Sequence, residues 1–320
     1  MMILPLNSEA IKQAVTILQQ GKLVALPTET VYGLAGDATD GKAVASIFST
    51  KGRPPFNPLI VHVSDIVMAE CYVEIDLLSR RLMEAFWPGP LTVVLPLKVH
   101  HNIHPLTTAG LNTLAVRFPR GGFAEIVRHF GRPLAAPSAN QSGKLSPTSA
   151  TSVFTSLGTS VPLIIDGGDS KIGLESTIIK ICDENVYILR PGGLAIEEIE
   201  RVAKKSVKRL DQQVAIEAPG MLRSHYAPDT SVRLNVKRVE SGEALLAFGP
   251  KRIEGFENAI AVLNLSETGR LEEAAFHLFQ YMQELDSLKV KCIAVEPIPF
   301  YGLGEAINDR LTRAAAPKGK

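Results

Sequence analysis

The sequence contains few of the residues that stabilise small secreted or zinc-dependent folds. It has only three cysteines in 320 residues, Cys71, Cys182 and Cys292, and no two of them form a Cys-x-x-Cys pair. This spacing supports neither a disulfide framework nor a cysteine zinc site. We therefore expect free, buried thiols in a reducing compartment, which favours a cytoplasmic protein.

The chain also lacks a charge excess of either sign and a long apolar run. Lys and Arg total 34 against 33 acidic residues, which gives a formal net charge of +1. A general binder of nucleic acid usually carries a larger basic excess, so we expect any anion site to be local. No apolar run approaches the ~18 residues that cross a bilayer, and no signal-peptide pattern follows the apolar N-terminus. We expect no membrane association.

Several common catalytic motifs are absent. There is no Walker A sequence, no Gly-x-Ser-x-Gly and no His-Glu-x-x-His. His100, His101 and His104 are close together in a predicted loop, but no cysteine completes a ligand set. We therefore predict no protein-bound metal there.

The order of predicted elements indicates two domains. Before about residue 205, strands and helices mix without strict alternation, which is typical of a compact α/β domain with a mixed sheet. Beyond residue 230 they alternate as in a small Rossmann-like domain, although the Gly-x-Gly-x-x-Gly phosphate loop is missing. We predict a larger α/β domain over 1–205, a linker over 206–230 and a smaller Rossmann-like α/β domain over 231–320.

Periodicity and capping residues predict the individual elements. Helices are predicted at 8–20, with Ser8 as the cap, and at 42–50, 77–86, 269–288 and 303–315. Strands are predicted at 23–27, 59–63, 91–97, 113–118, 134–136, 163–165, 176–181, 186–189, 232–236, 245–249, 260–266 and 291–297.

Five segments place polar residues at the ends of predicted strands. They lie within 27–34, 51–59, 113–119, 135–148 and 166–193. Each alone could be a polar turn or a flexible loop. Together, with several cations among them, they predict one polar cleft that binds anionic substrates.

The cations in these segments have different surroundings. Lys51 and Arg53 form a pair that neighbouring prolines stiffen, and they offer a point charge and a planar fork to an anion. Arg117 ends an apolar strand, where a buried guanidinium needs either a protein carboxylate or a ligand anion. His62 lies inside a strand, where a lone histidine is more often a packing residue than a catalyst.

In combination, these segments resemble the YrdC-like family, and specifically its two-domain threonylcarbamoyl-AMP synthases. The matching motifs follow one another in the family's order, and two further motifs match the linker of the two-domain members. The motifs are at 27–34, 51–54, 57–62, 87–92, 108–110, 115–117, 137–140, 175–177 and 189–192, with the linker motifs at 218–221 and 225–228.

The resemblance implies a YrdC-like twisted mixed sheet with helices around a positively charged cleft. Catalysis would depend on Lys51, Arg53 and Arg117. The implied threonine-binding residues are Thr30, His62, Arg117, Ala136 and Ser176. The implied ATP-binding residues are Lys51, Arg53, Asn57, Thr113, Ser138, Ser146, Arg190 and Tyr226.

The implied activity is a nucleotidyl transfer that joins L-threonine, bicarbonate or CO₂, and ATP into threonylcarbamoyl-adenylate and pyrophosphate. Mg²⁺ would accompany ATP and be held mainly by its phosphates. The product would pass to a tRNA threonylcarbamoyl transferase complex, with at most weak contact to tRNA. Two alternatives remain open: carbamoyl transfer of the hydrogenase-maturation type, and a double-stranded RNA-binding module without catalysis.

Overall fold

The computed structural model describes residues 1–209, 218–219 and 225–317 and contains two sheets flanked by helices. Residues 210–217 and 220–224 of the predicted linker lie outside the described residues, as does 318–320. The helices are α1 Ser8–Gln19, α2 Gly41–Lys51, α3 Ile66–Glu70, α4 Leu77–Phe86, α5 Pro105–Thr108, α6 Gly122–Phe130, α7 Ala150–Leu157, α8 Ile196–Ala203, α9 Leu271–Ser287 and α10 Leu303–Ala315.

Fifteen strands are assigned in the described residues. They are β1 Met2–Pro5, β2 Val24–Leu26, β3 Gly33–Asp37, β4 Ile60–His62, β5 Leu91–Pro96, β6 Thr113–Arg117, β7 Leu134–Ala135, β8 Leu163–Asp166, β9 Thr177–Cys182, β10 Asn185–Arg190, β11 Lys208–Arg209, β12 Ser231–Arg233, β13 Glu243–Ala247, β14 Val262–Asn264 and β15 Cys292–Val295.

The larger sheet mixes parallel and antiparallel neighbours, which confirms the predicted fold class. Its 11 strands follow the order β1-β8-β2-β3-β7-β4-β6-β5-β9-β10-β11. Strand β4 runs parallel to β6, and the register pairs His62 with Arg117. Because paired residues of neighbouring strands point to the same face, this register brings the two side chains together at one end of the sheet.

The smaller sheet is entirely parallel, as predicted for the C-terminal domain. Its strands follow the order β12-β15-β13-β14, and each neighbouring pair is parallel. Helices α9 and α10 pack on it through buried side chains such as Leu278, Phe279 and Ile307. Within the described ranges, no helix is both long enough and apolar enough to cross a membrane.

The core of the smaller sheet extends into the N-terminal part of the chain. Val31, Leu145 and Leu174, which precede residue 205, belong to the same buried cluster as the apolar side chains of α9. Gly173 has φ +79°, and a Cβ atom at this position would lie 2.4 Å from the carbonyl oxygen of Ala275 in α9. The two domains are therefore in backbone contact at this point.

Gly173→Ala is expected to destabilise the protein by about 2–4 kcal/mol, because it adds a steric clash to an unfavourable backbone conformation. Gly131 is a matched control, since its φ is +74° and nothing lies within 4 Å of the added Cβ. Denaturant unfolding of Gly173→Ala and Gly131→Ala measures both free energies of unfolding. Their difference gives the cost of the steric clash, because both variants share the cost of a positive φ. Equal losses for Gly173→Ala and Gly131→Ala would contradict the close contact.

Two details of the sequence prediction are wrong. Asn7, not Ser8, caps α1, and its Oδ1 accepts a hydrogen bond from the Ala10 amide at 2.9 Å. The cysteines are free but not buried: Cys71 and Cys182 are exposed and Cys292 is half-buried. Cys71 follows the end of α3 and Cys182 ends β9 beside a turn, so both lie where the chain meets solvent.

Candidate active site

A narrow cavity lies at the end of the larger sheet, where the segment before α7 and two pieces of the predicted linker meet it. Its volume is about 50 Å³, which is room for roughly three to five water molecules. The lining residues are Thr28, Val31, Gly33, Arg53, Ile60, His62, Arg117, Ala136, Pro137, Ser138, Glu175, Ser176, Arg190, Pro219, His225 and Tyr226.

Most residues predicted for substrate binding converge on this cavity. Those that line it directly are Arg53, His62, Arg117, Ala136, Ser138, Ser176, Arg190 and Tyr226. Others lie immediately behind the lining. Thr30 Oγ1 is 2.7 Å from Thr28 Oγ1, and Lys51 Nζ is 2.6 Å from the Ser138 carbonyl oxygen.

The remaining three predicted residues differ in position. Ser146 donates its hydroxyl to the Glu175 carboxylate, and the Asn57 carbonyl accepts from Arg53 Nε at 3.1 Å. Both are therefore one contact away from the cavity. Thr113 is half-buried at the start of β6, four residues before Arg117, and does not line the closed cavity.

Arg117 has a protein carboxylate as its partner. Its Nη2 lies 2.7 Å from Glu29 Oε1, and Nε donates to the Gly89 carbonyl at 3.2 Å. The second oxygen of Glu29 accepts from the Arg120 amide at 3.0 Å. Since both side chains of the ion pair are buried, Glu29 holds the guanidinium in one orientation at the cavity wall.

His62 stands next to Arg117 as a neutral ring. Burial, together with the charge of Arg117, lowers the pKa of His62 well below its ordinary value. Its Nδ1 is buried and has no hydrogen-bond partner among the described residues, while the ring packs 4.7 Å from that of Phe123. A buried polar atom without a partner is costly, so Nδ1 is a candidate hydrogen-bonding atom for a ligand in the cavity.

Lys51 and Arg53 form a second cationic patch. Lys51 Nζ donates to the carbonyls of Ser138 and Asn140, and burial, with the nearby Arg53, lowers its pKa. Burial also lowers the pKa of Arg53 to about 9. No carboxylate forms an ion pair with either side chain in the described part of the chain. Their charge therefore favours an anionic ligand.

Arg190 is held at the cavity wall by contacts with Ser176 and Pro219. Its Nη2 donates to the Ser176 carbonyl at 2.8 Å, and Nη1 donates to the Pro219 carbonyl at 3.3 Å. The Ser176 hydroxyl is 2.7 Å from that of Thr92. Gly192 allows this arrangement, because a Cβ there would lie 2.4 Å from the Glu175 carbonyl oxygen.

Among the described residues at the site, four with ionisable side chains were not in the predicted set. Glu29 and Glu175 lie within the motifs used for prediction, and His225 lies within the linker motif. Arg310 comes from α10, and its Nε donates to Glu175 Oε2 at 2.8 Å. Burial lowers the pKa of His225 to about 3, so its ring is also neutral.

The two carboxylates at the cavity are each paired with an arginine. In the described residues, no group of three or more His, Cys, Asp or Glu side chains could hold a metal ion. His104 instead caps α5, where its Nδ1 accepts from the Leu106 amide at 3.3 Å.

Comparison with known proteins identifies the architecture. Residues 16–192 match the Sua5/YciO/YrdC family profile, described as "Telomere recombination". Residues 194–316 match the profile described as "Threonylcarbamoyl-AMP synthase, C-terminal domain". The chain belongs to the Sua5/YrdC family. It has both domains of that family's two-domain members, while the predicted boundaries at 205 and 230 remain predictions.

Full-length relatives of this Sua5/YrdC chain are named threonylcarbamoyl-AMP synthase. The Pyrococcus abyssi protein is 39% identical over 95% of this chain and 94% of its own length. The Bacillus subtilis protein is 38% identical over 97% and 94%, respectively. The crystal structure of P. abyssi Sua5 complexed with L-threonine matches with a TM-score of 0.89 and 36% identity, covering 98% of each chain.

Proposed function

We propose that this Sua5/YrdC protein is a cytoplasmic nucleotidyltransferase that makes threonylcarbamoyl-adenylate and pyrophosphate from L-threonine, bicarbonate or CO₂, and ATP. The observation that carries the proposal is the cavity itself. It places Arg117, which Glu29 fixes, beside the neutral ring of His62. Lys51 and Arg53 lie nearby, and neither forms an ion pair with a carboxylate among the described residues. The product would serve the N6-threonylcarbamoyladenosine modification of tRNA and pass to a tRNA threonylcarbamoyl transferase complex.

The threonine site is proposed around Arg117 and His62. Arginine has five N–H donors, so the contacts to Glu29 and Gly89 leave capacity for the substrate carboxylate. Neutral His62 can accept a hydrogen bond from the threonine hydroxyl or amine. Thr30, Ser176 and the backbone at Ala136 would complete the pocket. The crystal structure of the related P. abyssi protein contains L-threonine, which supports threonine as a ligand of this chain.

The nucleotide site is proposed on the other side of the cavity. Lys51, Arg53 and Arg190 would bind the triphosphate of Mg²⁺-ATP and stabilise the negative charge on the departing pyrophosphate. Their burial strengthens this effect, because few water molecules screen the charges. Further contacts to ATP are assigned to Asn57, Thr113, Ser138, Ser146 and Tyr226.

The proposed chemistry needs no covalent enzyme intermediate. The threonine amine attacks the carbon of bicarbonate or CO₂, and a carbamate forms with loss of water or of a proton. A carbamate oxygen then attacks the α-phosphorus of ATP, and the bond to the pyrophosphate oxygen breaks. The protein's contribution is to position the two substrates and to supply fixed positive charge.

Described residues of the predicted linker form one side of the cavity. Pro219, His225 and Tyr226 line it together with residues of the larger sheet. We propose that Tyr226 contacts ATP from this side.

Pyrophosphate release by the purified full chain tests the proposed function. Release is expected only when ATP, L-threonine and bicarbonate are all present, with serine a much weaker substrate. ATP turnover that is indifferent to threonine would contradict the synthase. Cleavage of carbamoyl phosphate would indicate carbamoyl transfer of the hydrogenase-maturation type, and salt-sensitive binding of double-stranded RNA without turnover would indicate an RNA-binding module.

A further inference from the structure

Arg310 reaches the cavity from the C-terminal domain. It belongs to α10, which packs on the smaller sheet, yet its fully buried guanidinium donates to Glu175 Oε2 at 2.8 Å. Its central carbon also lies 4.9 Å from the centre of the Tyr226 ring. Both partners line the cavity. One side chain of the second domain thus supports two walls of the site.

We propose that Arg310 is a positioning residue for ATP, which makes the C-terminal domain a working part of the nucleotide site. It fixes the Glu175 carboxylate and the Tyr226 ring at the cavity wall, where they would meet the bound nucleotide. This inference rests on the proposed function, since it assigns Arg310 a task in that reaction.

Stability alone gives little reason for an arginine at this position. A buried ion pair is often no more stabilising than apolar side chains of similar volume. Arg310 Nη2 also has no hydrogen-bond partner among the described residues, which adds a cost. Ile307, Leu311 and Ala314 already anchor α10 in the apolar core. The guanidinium therefore fixes the positions of Glu175 and Tyr226 rather than holding α10 in place.

Tyr226 needs such support because its backbone is strained. Its φ is +60°, in the left-handed region that aromatic residues seldom adopt. The ring is completely enclosed, with His225 at 4.1 Å, Phe279 at 5.7 Å and Arg310 on its face. A strained conformation persists only where the surroundings determine it, and Arg310 is a charged residue that packs directly on the ring.

Two side-chain contacts of Arg310, with Glu175 and Tyr226, lead to the proposed nucleotide side. Glu175, its partner, accepts a hydrogen bond from Ser146, and Tyr226 is the residue proposed to meet ATP from the linker. Arg117 on the threonine side is held independently by Glu29. Loss of Arg310 should therefore affect ATP much more than threonine.

The charge of Arg310 also sets the ionisation of Glu175. Burial would raise the pKa of this carboxyl, but Arg310 and Arg190, assisted by the Ser146 hydroxyl, lower it to about 2. The other groups facing it are His225 and Tyr226, both uncharged at neutral pH. Without Arg310 the pKa rises, so Glu175 should become protonated at a higher pH than in the wild type.

The test compares Arg310→Met and Arg310→Lys with the wild-type full chain in the pyrophosphate assay. For Arg310→Met we expect KM for ATP to rise by about tenfold or more, with KM for threonine almost unchanged. Its activity should also fall as the pH is lowered, in a range where the wild type stays constant. Arg310→Lys retains the charge but not the planar contact with Tyr226. Its pH profile should therefore be close to that of the wild type, while its KM for ATP should remain raised.

Arg209→Met is a matched control. Arg209 of β11 has an exposed side chain and forms an ion pair with Glu305 of α10, the helix that carries Arg310. Neither residue lines the cavity, so loss of Arg209 weakens a contact to α10 and leaves the lining intact. We expect wild-type kinetics. If Arg310→Met lowered kcat with both KM values and the pH profile unchanged, Arg310 would be merely structural and the inference would be wrong.

Two further outcomes are separable. If Arg310→Met does not fold, as judged by thermal melting, Arg310→Lys provides the test, and a wild-type KM for ATP in that variant would overturn the inference. Wild-type protein without threonine-dependent release would contradict the proposed function itself. Calorimetric titration with Mg²⁺-ATP would then still report on Arg310, since equal affinity in wild type and Arg310→Lys would contradict a nucleotide-positioning role.

Discussion

Replacing Arg117 with alanine is expected to abolish threonine-dependent pyrophosphate release, with a loss of about 10³-fold in kcat/KM for threonine. The side chain provides the fixed cation of the proposed threonine pocket, and two charge-assisted hydrogen bonds to a carboxylate account for a loss of this size. Steady-state kinetics with threonine as the varied substrate measure the effect. KM for ATP should change far less, because the nucleotide is proposed to bind other cations.

Removal of Arg117 also leaves Glu29 buried without its partner, so controls must separate folding from binding. Arg117→Lys keeps a positive charge beside Glu29 but cannot form a two-pronged contact with the substrate. It should fold like the wild type and still bind threonine poorly. Arg120→Ala removes a neighbouring exposed arginine that does not line the cavity and should be nearly neutral. Wild-type threonine kinetics in Arg117→Lys would rule out the paired contact.

Lys51→Met is expected to lower kcat by about 10²–10³-fold without destabilising the protein. Lys51 is buried, and that burial disfavours its charged form, so the folded protein bears a cost that methionine removes. The proposed triphosphate, in contrast, needs that charge. Thermal melting should therefore give a Tm equal to or above that of the wild type, while the pyrophosphate assay shows a nearly inactive enzyme.

The same helix offers a control for this variant. Lys42 is exposed in the first turn of α2, and Lys51 is the last residue of that helix. Lys42→Met should change neither activity nor Tm appreciably. A marked fall in Tm for Lys51→Met would instead show that its bonds to the Ser138 and Asn140 carbonyls hold the loop together, and that Lys51 is primarily structural.

Elements with a clear periodic pattern were predictable from the sequence. Helices α4 and α10 begin and end at the predicted residues. Other elements were missed, including some that carry a local signal: α8 has an amphipathic pattern, and Ser149 caps α7. Helix α6 begins after Gly121, at φ +76° and without a side-chain cap, and strand β3 consists mainly of small residues buried on both faces. For β3, packing against neighbouring elements determines the conformation, and a single sequence does not display that packing.

The candidate site was predictable where chemistry follows a strand end. Lys51, Arg53, Arg117 and Arg190 each stand out as cations beside apolar strands. Arg310 does not, because it lies in a polar segment of an ordinary amphipathic helix, 135 positions from its partner Glu175. The roles assigned to the threonine- and ATP-binding residues came from family resemblance, and they remain predictions until the variants are measured.

The shared core has a consequence for any shortened version of this protein. Val31, Leu145 and Leu174 are covered by α9 and its neighbours. A fragment that ends near residue 205 would therefore expose these side chains to water as an apolar patch. Such a fragment should self-associate even if its own sheet folds. Polar replacements at these three positions would be needed before the N-terminal domain could be handled as a monomer.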